Sequence, residues 1–336
     1  MAVRSPVSIA VLGAGSWGTA LAILLSRNGA DVKLWSHLQA HAAALQRERQ
    51  NQAFLPGHEF PPALTATADL ASALTSVDEI LIAVPSHAFA SVLEATGALI
   101  SPGSTLSWAT KGLLPGTGEL LHEFVERIEN IASTAVISGP SFAAEVARGL
   151  PTALTVASRS SEHATRLANY LHSDNFRAYT SSDVIGLEVC GAAKNIMAIA
   201  AGIADGLGFG ANTRAALITR GLAEIMRLGL ALGGVAETFM GLGGLGDLVL
   251  TCTDDQSRNR RMGLALARGL SIEQARQEIG QEVEGIPTTQ EIRQKAVSLG
   301  VEMPITEQTY RVLYQGLSPR AAVHSLLGRS QKRETG

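Results

Sequence analysis

The stretch CGAAKNIMAIAAGIADG at 190–206 places Lys194 and Asn195 inside an apolar helical pattern. One helical turn away from the lysine stand Cys190, Gly191, Met197 and Ala198, all small or apolar. An ammonium on such a face is either a snorkelling side chain whose stem crosses apolar surface or a proton donor. Burial disfavours the charged form of a lysine and a nearby carboxylate restores it, so the pair can poise a proton for transfer. Asp247, at the end of GLGGLG (241–246), is the candidate carboxylate.

A second group lies in QSRNRR at 256–261. Ser257 is placed to cap a helix, with Arg258 and Asn259 in its first turn. Arginines sit poorly at the positive end of a helix dipole. A bound phosphate removes the conflict, because helix N–H groups and a guanidinium then converge on one dianion. The plainer alternative is a solvated charged helix face.

The third group is GAGSWG at 13–18. The G-x-G-x-x-G pattern is weak alone, but here it follows the strand-like run VSIAVLG and opens a helix, the context expected for a dinucleotide turn. Gly13 suits the tight turn, Gly15 the approach of a pyrophosphate and Gly18 close packing of helix on sheet. The second match, GLGGLG, follows a helical segment. It is read as a loop that brings backbone close to a ligand or another helix. The end of the second strand reads Trp35-Ser36-His37, without the carboxylate that usually holds a ribose 2′-hydroxyl. A 2′-phosphate is therefore not repelled, with His37 or Arg47 as contacts, and NADP(H) is expected to serve at least as well as NAD(H). His37 and His41 have the spacing of a metal pair but no evident third ligand, and no metal is expected.

These groups need elements to hold them. Runs at 7–13, 31–36, 79–85, 104–112, 134–140, 150–158 and 176–180 read as strands with helical stretches between. That pattern implies a parallel, doubly wound α/β sheet of Rossmann type. Lys111 and the turn ISGPSF (137–142) follow strand ends, where such sheets bind ligands. From about residue 183 the strand signal fades. Segments 184–205, 211–232, 258–269, 271–279, 287–299, 304–315 and 318–327 read as helices. The expected organisation is a dinucleotide-binding domain at 1–186, an all-α substrate-binding and catalytic domain at 187–330 and a frayed tail at 331–336. A Rossmann domain followed by a helical one suggests a dehydrogenase with substrate held between the two.

Composition excludes other classes. The chain has 336 residues, a net charge of −3 and only two cysteines, outside any CxxC spacing. There is no global electrostatic footprint for nucleic acid and no disulfide framework, so a reducing compartment is expected. The apolar N-terminal run is too short to span a bilayer. The chain is read as cytoplasmic, with a small phosphorylated substrate as its partner, no nucleic acid and a homodimer as a possible assembly.

Over nearly its whole length the sequence resembles the bacterial NAD(P)-dependent glycerol-3-phosphate dehydrogenase family. The matching stretches are GAGSWGTALA, VPSH, WATKGL, ISGPSFAAEVARGLPTA, GAAKN, GFGANTRAALITRGLAE, GLGGLGDLVLTCTDDQSRNRR, VEG and VEMPITEQ. The resemblance implies reversible reduction of dihydroxyacetone phosphate to sn-glycerol 3-phosphate for phospholipid synthesis. It assigns proton transfer to Lys194 and substrate contacts to Lys111, Gly139, Ser141, Asp247, Ser257, Arg258 and Asn259. Cofactor contacts fall on Ser16, Trp17, His37, Lys111, Ala143, Arg258 and Glu284. The double assignment of Arg258 suggests that it couples domain closure to correct binding. Glu282 departs from the aliphatic residue common there, and EGIPTT replaces a more polar stretch, so that loop is expected to differ in shape. The rivals are a ketopantoate reductase-like hydroxy-acid dehydrogenase and a non-catalytic nicotinamide-nucleotide sensor.

Overall fold

Short apolar runs stopped by glycine, proline and asparagine become strands because each can be buried on both faces only inside a helix-covered sheet. The computed structural model describes residues 6–328, so the expected tail at 331–336 lies outside them. The strands are β1 Ser8–Leu12, β2 Asp31–Trp35, β3 Gln50–Asn51, β4 Leu55–Glu59, β5 Leu64–Thr67, β6 Glu79–Ile82, β7 Ser104–Trp108, β8 Ile131–Ser138, β9 Thr152–Ala157 and β10 Phe176–Ser181. Eight of them form one sheet in the order β10-β9-β8-β7-β6-β1-β2-β5, while β3 and β4 make a separate hairpin.

Period-2 alternation divides β1 between two cores. Ile9 and Val11 face one cluster with Leu21, Leu25, Leu34 and Leu81. Ala10 and Leu12 face the other with Ile80, Ile82, Phe89 and Trp108. Burying each large aliphatic or aromatic side chain contributes about 1.5–3 kcal/mol. The chain reverses direction of winding at β1, which lies between β6 and β2, both parallel to it.

The sheet is not wholly parallel, as the pattern of alternation implied. β8 and β9 pair antiparallel through Val136–Ala157, Ile137–Val156 and Ser138–Thr155. The intervening helix Ala143–Arg148 has six residues, roughly 9 Å of rise. That rise is well short of the eight residues of β8, roughly 26 Å, and the chain instead pairs back as an antiparallel neighbour. The hairpin β3–β4 and the strand β5 were not anticipated either. Their residues, QNQAFLPGHE and LTAT, are polar or interrupted by proline and glycine.

The described chain forms two compact units. One comprises residues up to 114 together with 119–188, the other residues 115–118 together with those from 189 onward. Among the described residues the second unit is helical: Ala211–Ala231, Ala236–Met240, a π-helical turn Leu242–Gly246, Asp247–Thr253, Arg258–Ala267, Ile272–Ile279, Gly285–Ser298, Pro304–Tyr314 and Pro319–Leu327. The unit boundary falls within the helix Val184–Gly206. That helix is long and apolar enough to cross a membrane, but 94% of its most apolar window is buried in the protein, as in a core helix.

Glycine sets how closely that core helix is approached. A Cβ on Gly202 would lie 2.1 Å from the Arg260 carbonyl oxygen, and one on Gly263 would lie 2.1 Å from that of Ile199. The helices Val184–Gly206 and Arg258–Ala267 therefore touch backbone to backbone. The candidate lysine and the candidate phosphate turn belong to these two helices.

Candidate active site

In the first unit the glycine turn leaves the carboxyl end of β1. Gly13 has φ +118°, and a Cβ there would lie 2.6 Å from the Ala83 carbonyl oxygen. A Cβ on Gly18 would lie 1.9 Å from the Gly13 carbonyl oxygen, whereas nothing is found within 4 Å of one on Gly15. Gly15 precedes the helix Ser16–Arg27, and no side chain caps that start. Its first N–H groups are thus available to an anion. The Trp17 indole Nε1 is buried without a hydrogen-bond partner, which fits a polar group arriving from outside the chain.

His37 is exposed two residues beyond β2, while Arg47 is paired with Glu48 at 2.6 Å. His41 has a different task from metal binding. Its ring nitrogens meet Ser36 Oγ at 3.0 Å and Asn51 Oδ1 at 3.3 Å. Asn51 is fully buried and its amide donates to the Ala14 carbonyl at 2.9 Å and to Thr19 Oγ1 at 2.8 Å. It staples the glycine turn from the β3–β4 hairpin. Sequence reading missed Asn51 because it lies in a polar stretch with no periodicity.

Lys111 stands three residues past β7 and is half-buried. Gly139 follows β8 directly with φ +152°, and a Cβ there would lie 2.8 Å from Leu154 Cα. Ser141 Oγ donates to the Gly139 carbonyl at 2.9 Å, and Ala143 opens the helix Ala143–Arg148. Because β1, β6, β7 and β8 run parallel, all these residues leave the same carboxyl edge of the sheet as the glycine turn, where ligands of doubly wound sheets bind.

In the second unit Lys194 is buried in the middle of its helix, with 7% exposure, and Asp247 has 1%. The Lys194 ammonium donates to Asp247 Oδ1 and, at 3.0 Å, to Thr251 Oγ1. Thr251 in turn donates to the Asp247 carbonyl at 2.6 Å. Asp247 and Thr251 are one helical turn apart on Asp247–Thr253, so one face of that helix presents both to the lysine. The i,i+4 spacing was the signal by which Thr251 could have been found. GLGGLG is not the loop expected from its sequence. Leu242–Gly246 coils as a π-helical turn into the Asp247 helix. The close backbone approach is made to the preceding helix, with a Gly244 Cβ position 2.1 Å from the Phe239 carbonyl oxygen. Cys252, next to Thr251, is buried, and burial pushes its thiol up to about 12. It stays protonated at neutral pH and is no nucleophile.

Ser257 caps Arg258–Ala267, its hydroxyl accepting the Arg260 N–H at 3.2 Å. The Asn259 amide donates to Asn195 Oδ1 at 2.9 Å, and its oxygen accepts the Gly285 N–H at 2.9 Å. The residue beside Lys194 is thereby joined to the start of Gly285–Ser298, whose N-cap is Glu284. EGIPTT is thus the first turn of a helix and not a loop. Pro287 fits there because first-turn N–H groups need no helical acceptor. Glu282 is exposed, and Val283 beside it is buried. The basic cluster at 258–261 also divides. Arg260 turns inward to Asp205 and Asp255, so the dipole conflict there is met by carboxylates, and Arg258, half-buried at the first helical position, carries the anion argument.

A doubly wound dinucleotide domain with an uncapped glycine turn, and a helical unit that buries an ammonium against a carboxylate, define a nicotinamide-dependent dehydrogenase. Residues 8–164 match the N-terminal part, and residues 183–324 the C-terminal part, of the NAD-dependent glycerol-3-phosphate dehydrogenase family. A glycerol-3-phosphate dehydrogenase (NAD(P)+) of Methylococcus capsulatus is 55% identical over 97% of this chain and 98% of its own length. One from Nitrosococcus oceani is 56% identical over 96% of this chain and 94% of its own. The crystal structure of glycerol-3-phosphate dehydrogenase from Coxiella burnetii superimposes with a TM-score of 0.94 at 50% identity, covering 96% of this chain and 99% of that one. A ketopantoate reductase from Ralstonia eutropha, at TM-score 0.57 and 16% identity over 94% of this chain and all of its own, shares the fold alone. The chain belongs to the NAD-dependent glycerol-3-phosphate dehydrogenase family.

Proposed function

We propose that this protein catalyses the reversible NAD(P)H-dependent reduction of dihydroxyacetone phosphate to sn-glycerol 3-phosphate, supplying glycerophospholipid synthesis. The observation that carries the reading is the buried Lys194–Asp247–Thr251 cluster, hydrogen-bonded through the neighbouring Asn195 to Asn259 of the Ser257-capped helix start. When bound, the nicotinamide supplies a hydride to the ketone carbon. Lys194 gives its ammonium proton to the ketone oxygen as negative charge develops there, and takes a proton from the hydroxyl in the reverse direction. Asp247 places a carboxylate against the buried ammonium, and Thr251 fixes the direction of its Nζ.

Ser257, Arg258 and Asn259 hold the phosphate, with Lys111, Gly139 and Ser141 as further substrate contacts. Arg258 supplies the charge and the helix start the N–H donors. Gly13, Gly15 and Gly18 shape the dinucleotide turn, with Gly15 facing the pyrophosphate, and Ser16, Trp17, His37, Lys111, Ala143, Arg258 and Glu284 are further cofactor contacts. Two cysteines, Cys190 and Cys252, far apart and outside any CxxC spacing, suit a reducing, cytoplasmic location. A homodimer is the assembly proposed, with the apolar helices of the second unit as the source of its interface.

The deciding experiment is NADPH oxidation by the purified chain with dihydroxyacetone phosphate and, separately, with ketopantoate. Turnover of the phosphorylated ketone alone is expected. Turnover of the hydroxy-acid precursor alone would overturn the assignment, and cofactor binding without any turnover would favour a sensor.

A further inference from the structure

Arg260 follows the candidate phosphate turn, yet its guanidinium is buried, with a side-chain exposure of 9%. Its Nη1 donates to Asp205 Oδ2 and, at 3.2 Å, to the Cys252 carbonyl, and its Nε donates to Asp255 Oδ1 at 2.8 Å. Three segments meet on this one group. Asp205 lies in the last turn of the Lys194 helix, Cys252 in the last turn of the Asp247 helix, and Asp255 in the turn that leads to Ser257. The backbone of the same residue does related work. Its N–H holds Ser257 Oγ, and its carbonyl packs on Gly202 of the Lys194 helix. Asp205 is braced further by Arg214 at 2.7 Å. A planar guanidinium holds such directions at once, whereas an ammonium on a flexible stem does not. Its charge is matched by Asp205 and Asp255, so Arg260 adds little field for a substrate phosphate.

We infer that Arg260 is a positioning residue for phosphate recognition, fixing the turn 254–259 against the two helices that carry the proton donor and its carboxylate. This rests on the reading of Ser257, Arg258 and Asn259 as the phosphate site. The inference separates binding from chemistry: loosening the turn weakens the hold on the substrate phosphate, while Lys194 keeps Asp247 and Thr251.

The test uses the full-length enzyme and four proteins: wild type, Arg258→Ala, Arg260→Lys and Asp255→Asn. Asp255 is 69% exposed in its side chain, so its isosteric replacement loosens Arg260 without opening the core. For each, kcat, KM for dihydroxyacetone phosphate, competitive inhibition by inorganic phosphate and Tm are measured. Arg260→Lys is expected to raise KM and the phosphate inhibition constant about tenfold, equivalent to about 1.4 kcal/mol, with kcat within about threefold of wild type. Asp255→Asn is expected to do the same more weakly at an unchanged Tm. A merely structural arginine would lower Tm and leave KM alone. If Arg258→Ala raises KM while Asp255→Asn and any folded Arg260→Lys stay within twofold of wild type, the positioning role is wrong. If Arg258→Ala itself leaves KM and phosphate inhibition unchanged, the phosphate site is wrong and the inference falls with it.

Discussion

The Lys194 ammonium meets two neighbouring oxygens, Asp247 Oδ1 and Thr251 Oγ1, and has almost no access to water. Such a lysine is paired with a carboxylate and aimed by a hydroxyl, the arrangement a proton donor to a ketone requires. Lys194→Met removes the proton and should lower kcat by about 10² to 10⁴-fold. NADPH affinity, followed by fluorescence titration, should be unchanged. Loss of cofactor binding together with turnover would mean that the lysine supports the fold and not the chemistry. Asn51 gives a complementary prediction for the other ligand. Asn51→Ala deletes its bonds to Ala14 and Thr19, each worth about 1 kcal/mol. It should raise KM for NADPH several-fold while leaving KM for dihydroxyacetone phosphate near the wild-type value. Equal effects on both constants would count against a local role at the glycine turn.

Elements place these residues by contacts that tolerate little change. Gly202 and Gly263 let two helix backbones touch, and a methyl group at either must force them apart. Gly263→Ala should destabilise the protein by about 1–3 kcal/mol, read as a lower urea midpoint. An unchanged midpoint would show that the crossing can relax. A different element contact sets a pH dependence. Glu224, in Ala211–Ala231, accepts the Ile305 N–H at 2.6 Å and the Thr306 N–H at 3.2 Å, capping Pro304–Tyr314 from outside. Burial, partly opposed by these hydrogen bonds, raises its carboxyl from 4.5 to about 7. The folded state therefore binds a proton there more tightly than the unfolded state does. Stability from this group is fully present below about pH 4.5 and is lost as pH rises toward about 7, with a limiting slope of about 1.4 kcal/mol per pH unit. Glu224→Gln should flatten that part of the stability profile between pH 5 and 7, measured by urea unfolding. A wild-type slope in the variant would assign the dependence to other groups.

For the molecule as a whole, cofactor choice follows from what stands beyond β2. Ser36 is buried against His41, and exposed His37 occupies the region where a ribose-binding carboxylate is usual. No carboxylate in Trp35-Ser36-His37 opposes a 2′-phosphate, so kcat/KM with NADPH should equal or exceed that with NADH. A strong preference for NADH would overturn this. The division into a sheet unit and a helical unit also shapes how mutations read out. Changes around the glycine turn should act on the cofactor, and changes around Ser257 on the phosphorylated ketone.

Much of this was written in local pattern. The β1 run with GAGSWG, the strand-to-helix succession and the long apolar helix bearing Lys194 are all set by short-range periodicity and glycine placement, and these need no knowledge of distant residues. The pairing sense of β8 and β9, the β3–β4 hairpin and the coiling of GLGGLG were not legible, because each depends on connection length or on packing against another element. The same holds for Asn51 and Arg260. A polar residue reads as surface until the fold surrounds it, and only the tertiary structure shows which carbonyls and carboxylates it has been buried to meet.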